Sequence, residues 1–268
     1  MKQLAFLLIV AGVIGMGFTA KGFLSRETLD GEQSFSGDRF DQIVLESGQA
    51  DVNIIPSDSQ DIKVSWKGSV MSGNERSRHD SISIEEVGSE LNIQIGRQWF
   101  LNWSIFNMNF SNRLEVTIYL PEKQFQSIVV KNNVGSTLIK DVSVDHLTAE
   151  NDVARLVIED VKATSIVAKN NVGQITLTNN EGELQIENDV GHILVTTDDI
   201  TEDMNLLSNV GKIELLVPSI PDYVTFNANS SVGQVRIFGE KGSYISRGAK
   251  HVVTMSTEVG AITVDVRD

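Results

Sequence analysis

The chain has no cysteine, four prolines and an aromatic content of 6%. Without cysteine there can be no disulfide framework, no zinc–thiolate site and no lipid-modified N-terminal cysteine. Proline is scarce and no Gly/Ser-rich run divides the chain, so the 268 residues read as one elongated domain behind an N-terminal segment. Basic residues are also few: 22 Lys plus Arg stand against 36 Asp plus Glu, a net charge of −14. That balance argues against nonspecific nucleic-acid binding and against docking on an anionic lipid surface by charge. The four histidines, His79, His146, His192 and His251, share no metal-ligand spacing and read as surface residues. Nothing in the sequence calls for a metal or a cofactor, and no catalytic set is evident.

What is present is a repeat. Val134, Val153, Val172, Val190, Val210, Val232 and Val259 recur at steps of 19, 19, 18, 20, 22 and 27 residues, and glycine follows each except Val153, where Ala154 stands. Self-similarity at about 20 residues marks an array of supersecondary units, none of which buries its apolar face alone. Six residues before each valine come Ile128, Leu147, Ile166, Leu184, Met204, Phe226 and Val253; five after come Ile139, Ile158, Leu177, Val195, Leu215, Ile237 and Val264. The columns four before and three after are apolar too, apart from Thr137. Alternation with period two on both sides of the valine predicts two short strands per repeat, joined at a sharp glycine bend into which the valine points.

The polar columns are as regular. Two residues before each valine stand Asn132, Asn151, Asn170 and Asn188, then Ser208, Ser230 and Thr257. Stacked about 4.8 Å apart, the four asparagines form an inward-facing ladder whose amides bond the turns above and below. One place earlier, Lys131, Glu150, Lys169 and Glu187 alternate in charge, which reads as cross-coil ion pairing on a solvated face rather than as catalytic carboxylates. Two strands per coil, a tight turn and no helical pattern predict an all-β fold, a right-handed parallel β-helix with coils of about 20 residues. From Phe40 to Ile118 the strands continue but the repeat degenerates, as terminal coils do.

Leu4 to Ala20 carries no charge and is flanked by Lys2 and Lys21. The segment 1–21 reads as a single transmembrane helix, placing the solenoid on the extracytoplasmic side of the cell membrane; a cleaved signal peptide is the competing reading. Residues 22–37 read as a spacer and 38–268 as the β-strand repeat domain. One segment, Trp99-Phe100-Leu101-Asn102-Trp103 with Phe106, holds two of the three tryptophans. It reads either as a plug over the first coils or as an exposed patch for a partner, a glycan or the membrane interface. The acidic run Asp198-Asp199 with Glu202-Asp203 lacks calcium-ligand spacing and reads as a solvated turn.

Several of these segments resemble the bacterial "putative adhesin" family of β-strand repeat proteins, whose function is unknown. The resemblance rests on Leu114-Glu-Val-Thr-Ile-Tyr-Leu-Pro121 leading into Ile128, the Asn-Asn/Asp-Val-Gly turns, Ile213-Glu-Leu-Leu-Val-Pro218, and Thr257-Glu-Val-Gly-Ala-Ile-Thr-Val264. It spans about residues 38 to 267. The family implies a right-handed β-helix outside the membrane with no assigned catalytic residues. The anchored arrangement is similar to a member from a cell-envelope stress locus of Gram-positive bacteria. Two functions follow as expectations. One is a membrane-anchored, non-enzymatic scaffold or adhesin-like protein that binds an envelope protein or cell-wall glycan. The other is a polysaccharide-acting lyase or hydrolase, known on β-helices only by analogy.

Overall fold

The computed structural model describes residues 26–71, 82–96, 114–242, 244–245 and 250–267. Its core is a stack of parallel coils. Ser143–Glu159, Lys162–Thr178, Glu181–Thr196 and Met204–Val217 are continuous ribbons that pair in register, so that Asn151, Asn170, Asn188 and Ser208 align, as do Val153, Val172, Val190 and Val210. Each ribbon turns twice. One corner follows the valine; the other holds Asp141, Asp160 and Asn179 at φ of 51°, 53° and 50°, the left-handed region that Asp and Asn tolerate best. The apolar columns on the two runs face each other and are nearly all buried, from Ile128 through Val253 and from Ile139 through Val264. At roughly 2 kcal/mol for each buried Leu or Ile side chain, this continuous seam is the main source of stability.

The stacking order departs from chain order at both ends. The final coil, His251–Val259 with Ile262–Val266, lies between Met204–Val217 and the preceding coil, Val224–Val232 with Val235–Ile237. The valine column therefore runs Val210, Val259, Val232. At the other end, Gln42–Gln49 and Asp51–Ser57 lie between Gln124–Val134 with Thr137–Lys140 and the outermost pair, Glu90–Ile95 with Leu114–Pro121. The coil at 42–57 and the coil at 251–266 thus each form an interior layer of the stack.

The outermost coils would leave free strand edges, a template for aggregation. Antiparallel strands cover them: Ile82–Val87 on Glu90–Ile95 and Asp61–Met71 on Leu114–Pro121 at one end, with Glu240–Lys241 and Tyr244–Ile245 at the other. Arg26–Thr28 and Gly31–Ser36 pair with Asp61–Met71, so much of the expected spacer 22–37 is strand. Its short polar composition hid the pairing, because an edge strand buries little of its own side-chain surface. Among the described residues no helix is long and apolar enough to cross a membrane, and the expected transmembrane segment 1–21 lies outside those residues.

Candidate interaction surface

At each valine corner the chain leaves the regular ladder, and the carbonyl at the bend needs a donor. The asparagine column supplies it. Asn132 Nδ2 donates to Ala50 O (2.9 Å) and Gly135 O (3.0 Å), Asn151 Nδ2 to Gly135 O (3.2 Å), Asn170 Nδ2 to Ala154 O (3.0 Å) and Asn188 Nδ2 to Gly173 O (3.1 Å). Farther along, Ser230 Oγ donates to Gly260 O and Thr257 Oγ1 to Gly211 O. All four asparagines are at most 3% exposed. Thr137, which breaks an apolar column in the sequence, is fully buried: its Oγ1 accepts from Asn132 Nδ2 (3.3 Å) and donates to Asn151 Oδ1 (3.0 Å). The Oδ1 atoms of Asn132, Asn170 and Asn188 meet no such donor. These amides brace the corners from inside and face no opening for a ligand.

The valines do not point into the bend. They stand outside it, 44% to 64% exposed, in one stacked line. The correction has a geometric reason. Inward positions two before and three after the valine are five residues apart, an odd number, so the alternation cannot run unbroken through the bend. Two consecutive residues, such as Asp152 and Val153, face outward there before the inward phase resumes at Leu156. The glycine that follows is dictated by contact: a Cβ on Gly173 would lie 2.0 Å from Ala154 O. Seven valines over six steps of about 4.8 Å make an apolar ridge about 29 Å long.

Two polar columns flank that ridge, exposed except at the half-buried Gln174 and His192. The side the chain arrives from carries Asp152, Asn171, Asp189, Asn209 and Glu258, cross-linked by Asn171 Nδ2 to Asp152 Oδ1 (3.0 Å) and Asn209 Nδ2 to Asp189 Oδ1 (2.9 Å). The side it leaves by carries Arg155, Gln174, His192 and Lys212. Lys212 Nζ donates to Glu214 Oε2 (2.6 Å) and His192 Nε2 lies 3.3 Å from the same carboxylate, whereas Arg155 makes no ion pair among the described residues. Neither column was singled out in the sequence as a surface, although the parity argument was available there.

The remaining candidates serve the scaffold. Lys131, Glu150, Lys169 and Glu187 stack in register, and Lys169 Nζ sits 2.8 Å from Glu187 Oε2. The hydrogen bond between them raises the Lys169 pKa and lowers that of Glu187. The acidic run is an exposed loop, as expected, and is also tied down: Asp198 pairs with Arg267, Asp199 accepts from Tyr223 Oη, and Asp203 accepts from Val252 N (2.8 Å). The bond to Asp199 also raises the Tyr223 pKa. These contacts fasten the loop to the inserted final coil, through Val252 and Arg267, and to the start of the preceding one, through Tyr223. A shallow pocket of about 320 Å³ between Asp198, Ile200, Pro218, Ile220 and Tyr223 lies beside it. Trp99, Phe100, Trp103 and Phe106 lie outside the described residues.

A stack of parallel coils with straight outer columns of side chains defines an all-β solenoid repeat protein. The chain belongs to the Toastrack DUF4097 family, whose model matches residues 40–265. No curated protein matches it. Among solved structures it is similar to a putative cell adhesion protein from Clostridium sporogenes, at 16% identity and a TM-score of 0.42 over 90% of this chain and 100% of that one. It is similar also to a putative adhesin from Bacteroides fragilis, at 12% identity and a TM-score of 0.47 over 90% and 97% of the two chains. A putative lipid binding protein from Parabacteroides distasonis is similar at 12% identity and a TM-score of 0.45, with the same coverage.

Proposed function

We propose that this chain is a membrane-anchored extracytoplasmic scaffold, adhesin-like and non-enzymatic, that presents a rigid columnar surface to an envelope protein or cell-wall glycan and serves under envelope stress. The observation that carries this reading is the contrast between its two kinds of polar group. Buried asparagines, Thr137 and the acids of the 198–203 loop are spent on corners and on the final coil, while the outer columns stay exposed at fixed spacing. Such an arrangement supports recognition by surface. A lyase or hydrolase needs carboxylates free to converge on a sugar, and Asp198 and Asp199 are already bonded to Arg267 and Tyr223.

The test begins in intact cells producing the full chain. It should remain with membranes after alkaline carbonate extraction, be cut by external protease, and crosslink to an envelope component. A soluble form beginning near Lys21 would remove the anchor from the reading. Release of reducing ends from purified cell-wall polysaccharide, abolished by an Asp199→Asn change, would favour the enzyme instead.

A further inference from the structure

The valine ridge is a contiguous apolar surface, and surfaces of that kind on soluble domains mark interaction sites. Its two flanks differ in charge, and that difference has an orientation. Every coil crosses the corner in the same direction, so the acidic column lies on one side of the ridge along the whole stack and Arg155 on the other. Asp152 and Arg155 belong to the same coil and stand at the same height, either side of Val153. The next coil carries the uncharged Asn171 and Gln174, and the one after it Asp189 and His192.

We propose that two copies of this chain associate side by side and parallel, ridge against ridge, about a two-fold axis running along the stack. That axis turns the acidic flank of one copy onto the basic flank of the other at equal height. Asp152 then faces the second copy's Arg155, and the reciprocal pair forms on the other side. A two-fold perpendicular to the stack would instead set acid against acid, at a cost in like-charge contacts. Isologous pairing of this kind is the commonest route to a soluble homo-oligomer. A second copy also carries the same coil spacing, so every valine meets a valine at once. A partner of irregular surface would match the ridge over one or two coils. The net charge of −14 on each copy opposes approach at long range, but at physiological salt the Debye length of about 8 Å confines that repulsion to near contacts.

This goes beyond the binding role proposed above and stands with or without the anchor, because it concerns only the solenoid. The absence of cysteine makes the test direct. In the full chain, in membranes or in the released fraction, Val134→Cys, Val172→Cys and Val210→Cys should each give same-position dimers with a short thiol crosslinker. Glu183→Cys, exposed on an outer face away from the ridge, should stay monomeric. Arg155→Asp should lower the Val172→Cys crosslinking yield about fivefold, the size expected for losing exposed ion pairs, and adding Asp152→Arg should restore it. Unchanged melting temperatures for these variants would show that folding is not what moved. Crosslinking at one ridge position alone, equal crosslinking from Glu183→Cys, capture of another protein in preference to the second copy, or no rescue by the charge swap would each overturn the proposal.

Discussion

Asn151 and Asn170 occupy the same column yet hold different numbers of bonds. Asn151 Nδ2 reaches Gly135 O and Arg155 O, and its Oδ1 accepts from Thr137. Asn170 makes one bond, to Ala154 O, and its Oδ1 has none. Replacement by leucine, close in volume, removes the polar contacts with little change in packing. Asn151→Leu should cost about 2–3 kcal/mol because it leaves the buried Thr137 hydroxyl without its acceptor and removes one of the two amide donors to Gly135 O, whereas Asn170→Leu, which removes a single bond to Ala154 O, should cost about 1 kcal/mol. Urea unfolding of the two variants checks the ranking, and equal midpoints would contradict it. The identity of the column was legible in the sequence. Its bonding was not, because amides stacked at a fixed spacing can bond one another or the backbone, and only the freed carbonyls at the corners decide between these.

The corner is where the element is most constrained. Gly135, Gly173, Gly191 and Gly260 hold φ between 128° and 155°, and Ala154 is drawn to 147° by the same stacking. A side chain in that region carries strain of about 1–3 kcal/mol, partly offset by the lower entropy of the unfolded alanine chain. Ala154→Gly should therefore stabilise the protein by about 1 kcal/mol, read as a higher thermal midpoint, while Gly173→Ala should lower it, because its Cβ would meet Ala154 O at 2.0 Å. A lower midpoint for Ala154→Gly would mean that the alanine methyl contributes packing that outweighs its strain. Both strand runs and the corner between them follow from period-two alternation in the sequence. The outward valine was not read from the sequence, which pointed it inward: the odd spacing of the inward columns requires a break in the alternation, and the structure places that break at the valine. The second corner left a fainter mark, since Asp141, Asp160 and Asn179 look like ordinary turn formers until their left-handed backbone is seen.

For the molecule as a whole, the interleaved ends matter most. Among the described residues, Val224–Val232 pairs in parallel with the stack only through the final coil. Ending the chain at residue 250 should therefore free residues 224–242 to proteolysis and expose the face of Met204–Val217, leaving a species that unfolds at lower urea or aggregates. Protection of 224–242 in the shortened chain would show that it can dock directly on the Met204–Val217 ribbon. This order was not legible in the sequence, since identical columns let any coil sit beside any other. The longer steps of 22 and 27 residues at the end of the array were the only trace of the detour that the chain makes before turning back.

The same interleaving decides how the molecule carries mechanical load. A pull on residue 26 first strips Arg26–Thr28 and Gly31–Ser36 from Asp61–Met71, one bond after another along an edge. It then reaches Gln42–Gln49, which is clasped between Gln124–Val134 on one side and Glu90–Ile95 on the other. From that point tension is shared by two ladders at once, and a similar clasp meets any pull on the C-terminus at His251–Val259. Force therefore loads the interior of the stack before it can unwind a single coil, which gives the solenoid a stop against fraying from either side.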